Sequence, residues 1–123
     1  MAKSYKDLDV YQISFRLFIQ THRFSFQFPK HETYELGSQI RRSADSVNSN
    51  IVEGYGRRKY KKDFIKFLIY SLSSNDETIN HLKKIGVLYP ELSKTASSLV
   101  DDYNKLGIML NRFIEYVTHH WKT

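Results

Sequence analysis

Apolar residues recur three or four positions apart along four segments of this chain, and turn formers break the pattern at Pro29, between Gly54 and Gly56, and at Pro90. The spacing predicts four helices, over about residues 8–26, 34–53, 60–85 and 90–120. In the first, Val10, Ile13, Leu17 and Phe24 mark one face, with Tyr11, Phe15 and Phe18 beside it. Phe24, Phe26 and Phe28 alternate as in a strand, but no second strand is present to pair with one, so they read as a helix end stopped by Pro29. The third helix has the seam Phe64, Leu68, Ser71, Asn75, Thr78, Leu82 and Ile85, a heptad row with a polar middle. Leu92, Ala96, Leu99, Tyr103, Leu106, Leu110, Phe113 and Val117 give the fourth its row, opened by Pro90 at a first-turn position that tolerates proline.

The second helix carries two rows side by side. Leu36, Ile40, Ala44, Val47 and Ile51 form the apolar one; Gln39, Ser43, Ser46, Asn50 and Glu53 form a polar one at heptad spacing. Gly54 and Gly56 are expected to end this helix, and Gly86 the third, through left-handed C-terminal caps. A turn centred near Arg57 makes opposed positions on helices two and three sum to about 114. That register sets Ser43 against Ser71 and Gln39 against Asn75, a polar layer that must be hydrogen-bonded if buried. The alternative is that this face is solvated.

Short connections between four amphipathic helices imply an all-α, antiparallel, up-down-up-down four-helix bundle, a single domain over residues 1–123. Hydrophobic residues at 41% and charged residues at 26% suit a globular chain. The absence of cysteine removes disulfides, thiolate metal sites and cysteine nucleophiles. The amino-terminal residues are polar, and no apolar run approaches the roughly 18 residues of a membrane span, so a cytoplasmic location without membrane attachment is expected. A net charge of +6 favours anionic partners. Aromatics at 15% exceed what a small core requires, leaving rings for an interface or a nucleic-acid surface.

Gln39, Ile40, Arg41, Arg42, Ser43, Ser46, Asn50, Ile51, Glu53, Gly54, Gly56 and Arg57, followed by Asp63 to Leu68, form a pattern that resembles the four-helix-bundle family of 23S rRNA-intervening-sequence proteins. Leu8 to Gln12 and the Phe28–Pro29 break are similar too, so the resemblance runs from about Tyr5 to Trp121. It implies a four-helix bundle assembled as a homopentameric ring. It also implies kinship with the accessory proteins of diversity-generating retroelements, whose basic pentamers engage RNA and a reverse transcriptase. Asn50 and Glu53 match the family's paired polar positions, and Arg57 its basic residue after the glycines. Val52 stands where alanine is commoner in the family, and residues 73–77 replace a more apolar segment.

The cations cluster. Arg57, Arg58, Lys59, Lys61 and Lys62 occupy five of six consecutive positions, with Arg41, Arg42 and Lys66 assigned to adjoining turns. Cations at a helix N-terminus oppose its dipole, so the run does not serve the third helix. Arginine pairs with phosphate, and Tyr55 and Tyr60 are placed to stack on unpaired bases; the alternative is a solvated loop. Asn50, Glu53 and Arg57 share one side of a helix without a second acid, which favours a structural pairing over catalysis. His22, His31, His81, His119 and His120 show no metal-ligand spacing, so no metal and no cofactor are expected. Arg16 with His22 and Arg112 with His119 fit an Arg-x4–6-His ribonuclease pattern, but about one such match arises by chance in this composition. The expectation is a non-enzymatic homo-oligomer, a pentamer by resemblance, that binds RNA or DNA through basic loops. A protein-interaction platform without nucleic acid and an RNA-cleaving enzyme are the alternatives.

Overall fold

The computed structural model describes residues 4–122. Four α-helices run through them: α1 (Asp9–Ser25), α2 (Leu36–Gly56), α3 (Lys61–Leu88) and α4 (Ser93–His120). Single 3-10 turns precede α1, α2 and α4 at Tyr5–Asp7, Lys30–Glu32 and Pro90–Leu92. Helices consecutive in sequence pack side by side, α1 closes lightly against α4, and α1–α3 and α2–α4 lie on the diagonals. No strand occurs among the described residues. The architecture is the expected four-helix bundle.

The heptad rows become the core. On α3 every residue of the row from Phe64 to Ile85 is buried, and on α4 so are Ala96, Leu99, Tyr103, Leu106, Leu110 and Val117. Each large apolar side chain removed from water in this way contributes about 1.5–3 kcal/mol. Pro90 opens the 3-10 turn, and α4 proper starts at Ser93, since the tighter turn orients the chain before the helix begins. On α1 the buried row is Val10, Ser14, Leu17, Thr21 and Phe24, so two hydroxyl residues stand where apolar ones were looked for. Ile13 is half-buried instead.

The glycines do not cap. No described glycine has a positive φ; α2 runs through both Gly54 and Gly56 to an end at Arg57, and α3 runs through Gly86 to Leu88. Gly54 instead permits close approach: a Cβ there would lie 3.2 Å from the Phe67 Cβ and 3.3 Å from the Phe64 carbonyl oxygen. Because α2 is longer than expected, the turn shifts toward Lys59 and the register of α3 shifts with it. Ser43 therefore meets Thr78 (2.8 Å), Ser46 meets Ser74 (2.7 Å), and Ser71 donates to the Val47 carbonyl (2.6 Å). Ser71 does not face Ser43, and Asn75 does not face Gln39. Gln39 is exposed, and the Asn75 amide donates to the Tyr103 carbonyl on α4 at 2.9 Å, in space that Gly107 leaves open.

The polar layer extends across all four helices. Asn48 of α2 donates to Ser14 of α1 at 3.1 Å, and the Thr21 and Tyr103 hydroxyls lie 2.7 Å apart between α1 and α4. Tyr103 also donates to the Leu17 carbonyl. Two buried atoms, Asn75 Oδ1 and His81 Nδ1, meet no hydrogen-bond partner among the described residues. None of the described helices is long and apolar enough to cross a membrane.

Candidate nucleic-acid interface

The end of the bundle where α2 hands over to α3 carries the run of cations from Arg57 to Lys62. Gly54 lets α2 lie against the first turns of α3, and three backbone hydrogen bonds then shape the connection. Arg57 N–H donates to Gly54 C=O at 3.0 Å, Arg58 N–H to Tyr55 C=O at 3.1 Å, and Tyr60 N–H to Arg57 C=O at 2.8 Å. Arg57 to Tyr60 are all exposed, Tyr60 at 64%.

The structure divides these cations by role. Arg57 donates through Nε to Glu53 at 2.9 Å, approaches Asp63 at 3.6 Å, and lies 4.9 Å from the Phe67 ring centroid. The Glu53 hydrogen bond, aided by the charges of Glu53 and Asp63, raises its already high pKa further. Arg58 donates through Nη1 to the Tyr55 carbonyl at 2.9 Å and stands 4.2 Å from that ring's centroid. Both arginines thus follow directly on the C-terminus of α2, where positive charge is favourable. Lys59, Lys61 and Lys62 enter no ion pair among the described residues; Lys59 and Lys62 are exposed and Lys61 is half-buried. Lys66, one turn into α3, lies 5.1 Å from the Phe67 ring.

Arg41 and Arg42 do not join this group. At about 1.5 Å per residue they lie roughly 20 Å back along α2. Arg41 straps the opposite end of the bundle, donating to the Ser25 hydroxyl (2.9 Å) and the Thr33 carbonyl (2.7 Å) with its guanidinium 4.7 Å from the Phe26 ring. Arg42 is exposed. Tyr55 is also withdrawn: it is 4% exposed and packs edge-on against Phe64 and Trp121, which leaves Tyr60 as the exposed ring of the turn.

The polar row on α2 reaches the same end. Ser43 is buried; Ser46 and Asn50 are half-buried, with the Asn50 amide donating to the Ser46 hydroxyl (2.8 Å) and carbonyl (2.9 Å); Glu53 is exposed and engaged by Arg57. This is a hydrogen-bonded ladder down the α2–α3 seam.

Two further features stand outside the expectations above. Glu77 with His81 (3.4 Å) and Glu115 with His119 (3.2 Å) pair one turn apart, a four-residue spacing that the sequence itself carries. Among the described residues no group of three metal-ligating side chains forms. Arg112 and His119 share a face of α4, seven residues apart, whereas the six-residue step from Arg16 to His22 turns them about 120° apart on α1. The second feature is Trp121, whose indole N–H donates to the Arg58 carbonyl at 3.2 Å. An aromatic residue beyond the last heptad position, followed by a lysine, was the available signal.

A four-helix bundle with an exposed basic turn at one end is the class that fold and site define. The family model described as 23S rRNA-intervening sequence protein matches residues 6–112, and the chain belongs to that family. No curated protein matches it.

Proposed function

We propose that the protein is a non-enzymatic homo-oligomer, a pentamer, that holds RNA or DNA against the turn between α2 and α3. The observation that carries this reading is the exposure of Arg58, Lys59 and Lys62 at one end of the bundle, beside the exposed Tyr60 ring and without an acidic partner among the described residues. Cations so displayed neutralise phosphates, and an exposed ring stacks on an unpaired base. The family's name, which refers to an intervening sequence of 23S rRNA, supports a nucleic-acid setting. Self-assembly is supported by rings on the outer side of α1. Phe15 and Phe26 are 47% and 58% exposed, and Tyr11–Phe15 and Phe18–His22–Phe26 contact in series, an apolar strip suited to a neighbouring copy. The number five rests on the family resemblance. A ring repeats a weak site and gains by avidity.

Filter binding across a salt series, with wild type and an Arg58/Lys59/Lys62→Ala variant, tests the reading. The logarithm of affinity should fall with the logarithm of salt, and each lost phosphate contact should flatten the slope by about 0.7–0.9. Equal slopes for both proteins would remove the turn from the site. Light scattering should give five times the 14.6 kDa chain mass, and a stable monomer at micromolar concentration would refute the assembly. A platform that binds proteins alone is the second reading. Tyr34 and Val87, 86% and 80% exposed near the opposite end, favour it, and absence of binding to either nucleic acid would select it.

A further inference from the structure

The last described residues fold back onto the basic turn. After α4 ends at His120 the backbone becomes extended at Trp121 (φ −75°, ψ 126°). That change directs the indole inward, edge-on to Phe64 at 5.1 Å and to Tyr55 at 6.3 Å. Its N–H then reaches the Arg58 carbonyl, tying the carboxy-terminal segment to the middle of the turn. Arg58 is consequently held from two sides, its carbonyl by Trp121 and its guanidinium by Tyr55. Between the two segments lies a cleft of about 400 Å³ lined by Gly56, Arg58, Lys59, Trp121 and Lys122. Three of these five residues are cations from two distant parts of the sequence, and none is an acid.

We infer that this cleft is a phosphate subsite in which Lys122, brought in by the Trp121 clamp, joins Arg58 and Lys59 around one phosphodiester of a nucleic-acid strand. The inference rests on the proposed function and adds to it a residue, a place and a rigid geometry. Arg58 is fixed by its contacts, so little side-chain freedom is lost when it meets a phosphate. Gly56 opens the floor: a Cβ there would meet nothing within 4 Å. Trp121 and Lys122 lie beyond the matched segment, which ends at residue 112.

The chain contains one tryptophan, and it forms a wall of the cleft, so its emission reports occupancy directly. The full chain is titrated at about 50 mM salt with oligouridylate and oligothymidylate of about 12 nucleotides, following Trp121 emission and its quenching by acrylamide. Anisotropy of the labelled oligomers gives affinity over a salt series for wild type, Lys122→Ala and, at the other end of the bundle, Lys94→Ala. Lys122 is exposed and its removal does not touch the core. The expected result is a change in Trp121 emission with reduced quenching on binding, a salt slope lowered by about 1 in Lys122→Ala, and an unchanged slope in Lys94→Ala. Similar affinities for the two oligomers assign the contact to the phosphodiester alone; a preference for the ribose strand adds a 2′-hydroxyl contact beside it. Binding that leaves Trp121 emission and the Lys122→Ala slope unchanged overturns the subsite while the basic turn stands. No binding by wild type overturns both.

Discussion

Thr78 on α3 donates its hydroxyl to that of Ser43 on α2 at 2.8 Å, with both side chains buried. The Ser74 carbonyl, also 2.8 Å from Thr78 Oγ1, shares that single proton, and Ser43 donates to the Ile40 carbonyl, so the pair ties each helix to the other at the height where their apolar rows are interrupted. Ser43→Leu would force a larger side chain into this contact and remove the bond between the two helices, leaving the Thr78 hydroxyl only its own helix's Ser74 carbonyl. The expected cost is about 1–3 kcal/mol, read as a lowered denaturation midpoint. A midpoint equal to wild type would mean that the seam opens readily.

The two glycines at the end of α2 should respond in opposite directions. Gly54→Ala places a methyl 3.2–3.3 Å from the Phe67 Cβ and the Phe64 carbonyl, atoms that move only if α2 and α3 separate, and it should destabilise. At Gly56 the added methyl meets nothing within 4 Å and φ is not positive, so alanine should stabilise by up to about 1 kcal/mol through its better helix propensity. Thermal melts of the two variants decide it; a Gly56→Ala protein less stable than wild type would contradict the helical end described above.

Tyr103 should give the stability an alkaline limit. Burial raises its phenol far above the usual value near 10, and the Thr21 hydrogen bond offsets part of that rise. Unfolded, the phenol ionises near pH 10; folded, it keeps its proton. Its contribution is therefore complete below pH 10 and is lost as pH rises beyond it, by up to about 1.4 kcal/mol per unit, because the unfolded chain binds fewer protons. Urea midpoints at about pH 9 and about pH 11 should fall further for wild type than for Tyr103→Phe. The phenylalanine variant should already be about 1–3 kcal/mol less stable at neutral pH, since Thr21 loses its partner.

Neighbouring arginines should separate into a structural and a dispensable one. Arg41→Ala removes donors to Ser25 and to the Thr33 carbonyl and should cost about 1–3 kcal/mol. Arg42→Ala should change stability by less than about 0.5 kcal/mol. Chemical denaturation of both tests this, and equal losses would mean that the strap contributes nothing.

Where the heptad row ran unbroken, as on α3 and α4, the sequence announced the core, the polar Ser71, Asn75 and Thr78 included. It failed on α1, at positions filled by small polar residues. Ser14 and Thr21 complete the buried row of α1, yet a hydroxyl is equally at home on a solvated face, and its partners Asn48 and Tyr103 are far away in sequence. The glycine pair misled for a related reason: glycine permits both a left-handed cap and close helix contact, and the position of Phe64 and Phe67 decides between them. Taking the first meaning displaced the turn, and with it the pairing of Ser43. The cations of the turn were legible as a run, because consecutive charge needs no tertiary information. Their separation into paired and free members was not, since Arg58 depends on Tyr55 beneath it and on Trp121 from the chain's other end.

An even number of antiparallel helices returns the chain to the side from which it set out. Ser4 and Lys122, the first and last described residues, both leave the bundle where α2 turns into α3. An affinity tag or fusion partner joined at either end therefore hangs beside Lys59 and Lys122, and an acidic linker would act as a tethered competitor for any strand approaching them. A His-tag would add cations of its own below its imidazole pKa and tilt salt titrations in the other direction. Binding measurements are best made on cleaved protein. Labels and surface attachments belong at the exposed Lys30 or Glu91, in the connections at the far end.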